Sequence, residues 1–167
     1  MDLTPYIGWI VFVHVLGAFA FAAGHGVSMF VAFQIRRERD RQRLEALLDL
    51  SGWSLGLAGV GMLVLFLSGI LAGIVLGSWD RPWLWISLVL FIAIGGAMTP
   101  IGSVYFTRAR LGLGQRTRSV KATDPDPVPV SDEELDRILE SKRPELLLAI
   151  GAGGFVVILW LMMFRPS

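Results

Sequence analysis

The feature that most constrains this chain is an uncharged run from Tyr6 to Gln34, YIGWIVFVHVLGAFAFAAGHGVSMFVAFQ. It holds no Asp, Glu, Lys or Arg. At about 1.5 Å per residue, a helix of this length exceeds the ~30 Å of bilayer hydrocarbon. A stretch like this is expected to cross a membrane as a helix, because the bilayer core leaves backbone groups no water to bond.

Three further apolar segments extend the argument: residues 53–77, 82–107 and 144–164. With 54% hydrophobic against 17% charged residues, the chain is too apolar for an ordinary soluble domain. The expected fold is all-α, an integral membrane four-helix bundle forming one domain over residues 1–167. MDLTP at the start lacks a basic stretch, and the apolar run behind it is too long for a signal peptide, so the first helix reads as a permanent span. Gly69, Gly73 and Gly77 in the second span form overlapping GxxxG patterns that permit close helix approach. The short SWDRP connection makes spans two and three an antiparallel hairpin. Trp79, Trp83, Trp85 and Trp9 suit an interfacial belt, and Pro100 is expected to kink span three. Thr99, Ser103 and Tyr105 offer hydroxyls for helix–helix bonding.

Charge is sharply segregated. The loop 35–52 carries Arg36, Arg37, Arg39, Arg41 and Arg43, interleaved with Glu38, Asp40, Glu45 and Asp49. Arg36–Asp40 and Arg41–Glu45 have i,i+4 spacing, which predicts a solvated continuation of helix one. Leu44, Leu47 and Leu48 predict a surface-lying stripe, ended by Gly52. The loop 108–143 is also basic. It holds an extended linker around Pro125, Pro127 and Pro129, which is expected to be mobile over 119–130. A capping box at Ser131 and Glu134 then opens a short amphipathic helix. The positive-inside rule puts both basic loops in the cytoplasm and both termini outside, in the inner membrane of a bacterium. Arginines beside spans set orientation in this way, and nucleic acid is not an expected partner.

Several chemistries lack their residues. Without cysteine there is no disulfide, thiolate iron–sulfur cluster, thiol nucleophile or cysteine zinc site. Every Asp, Glu, Lys and Arg falls outside the spans or at their ends, so none is placed to couple ions, and no nucleotide-binding or hydrolase motif is present. What remains is His14 and His25, eleven residues apart and therefore close to one helix face. A histidine inside a bilayer is expected to be neutral, with one nitrogen free to accept a hydrogen bond or bind a metal. Gly17, Ala18, Ala22, Gly24 and Gly26 surround the pair with small side chains, and Phe21 lies on the same stripe. Room for a flat ligand, an aromatic to pack on it and imidazole ligands suit haem b, while the lack of CxxCH excludes a covalent c-type link. His14, His25, Gly17 and Phe21 are thus the candidate cofactor-binding residues, in a protein of redox or electron-transfer function. A quinone or another redox partner is unspecified.

Met29, Met62 and Met98 leave a second option, a copper site of histidine and thioether ligands. A third option is a structural protein without cofactor. The two histidines lie about 16 Å apart along one helix and cannot sandwich one iron. A bis-imidazole haem would therefore need a homodimer in which His14 meets its counterpart.

The run VHVLGAFAFAAGHGVSMFVAFQIRR resembles the first helix of small bacterial membrane proteins of the CopD-like and HemJ-like type. His14, Gly17 and Gly24 carry the resemblance, which is specific over about residues 9–37. It implies a haem or metal site at His14. HemJ-like oxidases are expected to place another basic residue in a later span, and spans two to four here have no Lys or His.

Overall fold

A computed structural model of the protein describes residues 3–166; Met1, Asp2 and Ser167, which the single-domain assignment includes, lie outside the described residues. After a short turn at Thr4–Tyr6, the helices are α1 (Ile7–Gln34), α2 (Arg41–Val75), α3 (Pro82–Gly112), α4 (Asp132–Leu139) and α5 (Arg143–Phe164). Among the described residues the regular structure is all helical, with no strand. Four helices are long and apolar enough to cross a membrane. Large apolar side chains along them, such as Trp9, Phe19, Phe30 and Trp53, face outward, as lipid-facing residues do.

The helices associate as two tight pairs, α1 with α2 and α3 with α5, with sparser packing between the pairs. The α1–α2 seam is held by small residues. A Cβ on Gly17 would lie 2.7 Å from the Leu65 backbone nitrogen. One on Gly24 would strike the Ser54 carbonyl, and one on Gly61 the backbone of Phe21. Ile10, Gly17, Gly24 and Val31 are all buried, a seven-residue spacing that keeps one stripe against a partner helix. The tightest backbone contacts of α2 are thus at Ser54 and Gly61. Gly69 instead accommodates the His14 ring, and Gly73 faces Trp79 and Leu84. The expected α2–α3 hairpin forms, but its helices touch lightly, through a Phe66–Phe91 ring stack among other contacts.

Turn chemistry ends α2 and α3 in the same way. At Gly77 (φ +60°), Gly77 N–H donates to the Ile74 carbonyl, and Ser78 N–H to that of Gly73. At Gly114 (φ +80°), Gly114 donates to Leu111 and Gln115 to Arg110. Both are Schellman caps, which need a left-handed residue that glycine adopts without strain. Pro100 sits inside α3, which remains helical through it. Thr99 donates back to the Gly95 carbonyl of its own helix at 2.7 Å, and Ser103 to that of Pro100. Of the three hydroxyls in this stretch, only Tyr105 ties helices together.

The basic loops are more structured than their sequence suggests. Residues 35–52 are not a loop carrying a surface stripe: α1 stops at Gln34, and α2 starts at Arg41 and runs unbroken through Gly52. Asp40 explains the break, because its carboxylate accepts from the backbone N–H of Gln42 and Arg43 and so caps a new helix. Leu44 and Leu48, predicted to lie on the membrane surface, are buried in a cluster with Val31, Ala32, Ile35, Tyr105, Ala109, Leu135 and Leu139. The i,i+4 pairs within the loop do not form. Arg36 pairs instead with Glu145, Arg39 with Asp136 and Arg41 with Asp132. These arginines tie the α1–α2 corner to α4 and α5, which a local reading of spacing misses.

Half of the expected capping box forms: Ser131 Oγ accepts from Glu134 N–H at 3.3 Å, while the Glu134 carboxylate pairs with Arg137 instead of reaching back. Tyr105, 1% exposed, anchors the cluster by donating to the carbonyls of Ala32 (3.2 Å) and Leu139 (3.1 Å). The proline linker folds back over Arg116, which pairs with Asp126 at 2.9 Å and donates to the carbonyls of Lys121 and Asp124.

Candidate metal centre

Both histidines flank the Gly17–Gly24 line that α2 covers, yet they meet different neighbours. His14 packs against Gly69 of α2. Its Nδ1 lies 3.0 Å from the Leu65 carbonyl, which only accepts, so Nδ1 carries the proton and donates. The Ser68 hydroxyl donates to the Val64 carbonyl at 2.5 Å, and its oxygen lies 3.3 Å from the same Nδ1. The tautomer follows: Nε2 of His14 is the unprotonated nitrogen.

His25 turns toward the other helix pair. Its Nε2 is buried and has no hydrogen-bond partner among the described residues. It lies 3.0 Å from the point a Cβ on Gly151 would occupy, and Met98 Sδ lies 3.3 Å from the same point. An imidazole nitrogen of α1 and a thioether of α3 therefore converge beside a glycine of α5. Gly151 is what keeps this space open: a methyl group there would also approach Met98 Cε to 2.8 Å. An unpaired buried polar nitrogen costs on the order of 1–3 kcal/mol, which a ligand would remove. Phe21 stacks on the His25 ring, with centroids 5.7 Å apart and planes 6° from parallel, and so fixes the imidazole plane.

The four candidate residues are thus separated. His25 and Phe21 form one unit facing α3 and α5, while His14 belongs to the α1–α2 seam, as does Gly17. Of the small residues that suggest an open pocket, Gly17 and Gly24 are covered by the backbone of α2, while Gly26 has nothing within 4 Å of an added Cβ. Among the described residues no three His, Cys, Asp or Glu side chains cluster as a metal site. Leu65, Ser68 and Gly151 were not singled out from the sequence. Ser68 was visible as a rare polar residue in a span, but nothing in a single sequence reveals that Gly151 faces His25.

A family model described as "Predicted integral membrane protein (DUF2269)" matches residues 9–166. The chain belongs to this family. The match takes in most of the first span and all of the other three, and it supports a membrane protein, not the CopD-like or HemJ-like assignment drawn from helix one. No curated protein and no solved structure matches.

Proposed function

We propose that this DUF2269 protein handles a soft transition-metal ion within the membrane, and that Cu(I) is the ion its geometry fits. The observation behind this reading is the buried, partnerless His25 Nε2 beside Met98 Sδ. Neutral imidazole and thioether are ligands that suit Cu(I), and neither brings a charge into the bilayer. The compactness of the site also favours a bare ion, because the Gly151 backbone closes against Nε2, with a Cβ placed there only 3.0 Å away. The basic loops would face the cytoplasm of a bacterium and the termini the outside.

His14 supports a second reading, a haem b protein of redox or electron-transfer function. A ligating histidine commonly donates its other N–H to a backbone carbonyl, and His14 does so to Leu65. In that reading a homodimer would supply the second imidazole, and a quinone or protein would exchange electrons. The close α1–α2 seam at Gly17 and Gly24 leaves no macrocycle space between those helices, so this reading ranks second.

Protein purified in mild detergent separates the readings. Copper retained against a Cu(I) chelator, and lost in both His25→Ala and Met98→Leu but kept in His14→Ala, supports the first. A Soret band that shifts with dithionite and disappears in His14→Ala supports the second. Protein that binds neither refutes both and leaves a structural membrane protein.

A further inference from the structure

We propose that a cavity at the basic end binds the phosphate of an anionic lipid headgroup. The cavity, about 330 Å³, is lined by Tyr105, Arg108, Arg137, Ile138, Ser141 and Arg143. Three guanidinium groups, from α3, α4 and the start of α5, meet there, and no carboxylate lines it. Elsewhere at the basic end Arg36, Arg39, Arg41, Arg110 and Arg116 each have an acidic partner, whereas Arg108 and Arg143 of the cavity have none among the described residues.

Within the cavity, the Arg108 side chain makes no hydrogen bond or ion pair among the described residues. Arg143 donates only a long bond, 3.4 Å, to the Ile101 carbonyl from its side chain. Arg137 holds Glu134 at 3.3 Å in an exposed pair, which stabilises little in water and is readily exchanged. Ser141 Oγ accepts from Arg143 N–H at 3.3 Å and keeps its own O–H free to donate. The positive end of the α5 dipole points the same way. Planar guanidinium forks match phosphate oxygens in pairs.

Position identifies the source of the phosphate. Arg108 lies about one turn before the end of α3, and Arg143 opens α5, so the cavity sits where a span meets the headgroup layer. Leu146, on the same face of α5 and one turn deeper, is 52% exposed and offers an apolar path for the acyl chain. Basic pockets between membrane helices recognise anionic headgroups in this way.

The test uses the full chain in detergent, titrated with phosphatidylglycerol or phosphatidylcholine and read by native mass spectrometry and thermal unfolding. Phosphatidylglycerol is expected to be retained and to raise the unfolding temperature, and phosphatidylcholine is not. In Arg108→Gln/Arg143→Gln, affinity is expected to fall by at least about ten-fold, while the charge-matched Arg37→Gln/Arg118→Gln keeps it. An equal fall in the control pair would overturn the proposal in favour of diffuse surface charge. Full competition by inorganic phosphate would overturn it in favour of a free-phosphate site. Should the double variant fail to fold, a photo-reactive phosphatidylglycerol on the native chain decides. Cross-links within residues 101–108 or 137–146 support the site, and cross-links elsewhere refute it.

Discussion

Alanine placed at different glycines of the same two helices should change stability with opposite signs. In an open helical position Gly→Ala is favourable by up to about 1 kcal/mol, because alanine loses less backbone freedom. Gly26 and Gly59 are such positions, with nothing within 4 Å of an added Cβ. At Gly17 the new methyl would meet the Leu65 nitrogen at 2.7 Å and both the Gly61 oxygen and Leu65 Cα at 3.1 Å. Carbon contacts are comfortable at about 3.5–4.0 Å, so α2 would have to shift by several tenths of an ångström or more. The obstacles are backbone atoms, which no rotamer change can clear. Overpacking of this kind costs roughly 1–3 kcal/mol, which outweighs the propensity gain. The expected net loss is on the order of 1–2 kcal/mol each for Gly17→Ala, Gly24→Ala and Gly61→Ala. Reversible unfolding in mixed micelles, titrated with a denaturing detergent and followed by helix ellipticity, measures the difference. If Gly17→Ala and Gly24→Ala prove as stable as Gly26→Ala, the α1–α2 seam is not the close backbone contact described here.

Tyr105→Phe should cost about 1–3 kcal/mol in the same assay, because the Ala32 and Leu139 carbonyls lose their shared donor inside a buried cluster. Glu38, outside the spans, accepts from the backbone N–H of Asp40 and Arg39, which holds its carboxyl below the ordinary 4.5. Its contribution to the α1–α2 turn is therefore complete above that value and lost as pH falls through the lowered one; amide exchange of Asp40 that stays equally slow through this window would contradict it. Arg116→Ala should release the proline linker from Asp126 and the Asp124 carbonyl, seen as faster proteolysis between residues 119 and 130 with unchanged helix content. The native chain has no cysteine, so Ser78→Cys and Ser119→Cys can be labelled singly. Labelling from opposite sides is expected, and labelling from one side would refute the orientation.

The membrane part of the fold was legible because hydrophobic length and charge asymmetry are local properties. The four spans and the Ser131 cap needed only neighbours in sequence to be read. The basic end was not legible, because its interactions are long-range. Arg36 has Asp40 four residues away yet pairs with Glu145, since the Asp40 carboxylate is already committed to capping α2. Leu44 and Leu48 looked interfacial because α4, which covers them with Leu135 and Leu139, lies some ninety residues on. At the candidate site, residue types were visible and partners were not. The small residues around His14 and His25 signal close approach of something, and composition alone does not distinguish a macrocycle from the backbone of α2.

His25 belongs to the α1–α2 pair and Met98 to the α3–α5 pair, and the packing between those pairs is sparse. An ion held by both side chains would therefore act as a cross-link where the bundle is most weakly joined. Binding only the folded state stabilises by RT ln(1 + [L]/Kd), about 2.7 kcal/mol at a hundred-fold excess over Kd. Unfolding of the purified protein in buffered Cu(I) should thus move to higher denaturant by that order, and a Cu(I) chelator should reverse the shift. Gly151→Ala should abolish the copper effect by filling the space between the two ligand atoms, even though both ligands remain. A copper-dependent shift that survives in a His25→Ala/Met98→Leu variant would show that the ion binds elsewhere, and the seam would then be joined by helix packing alone.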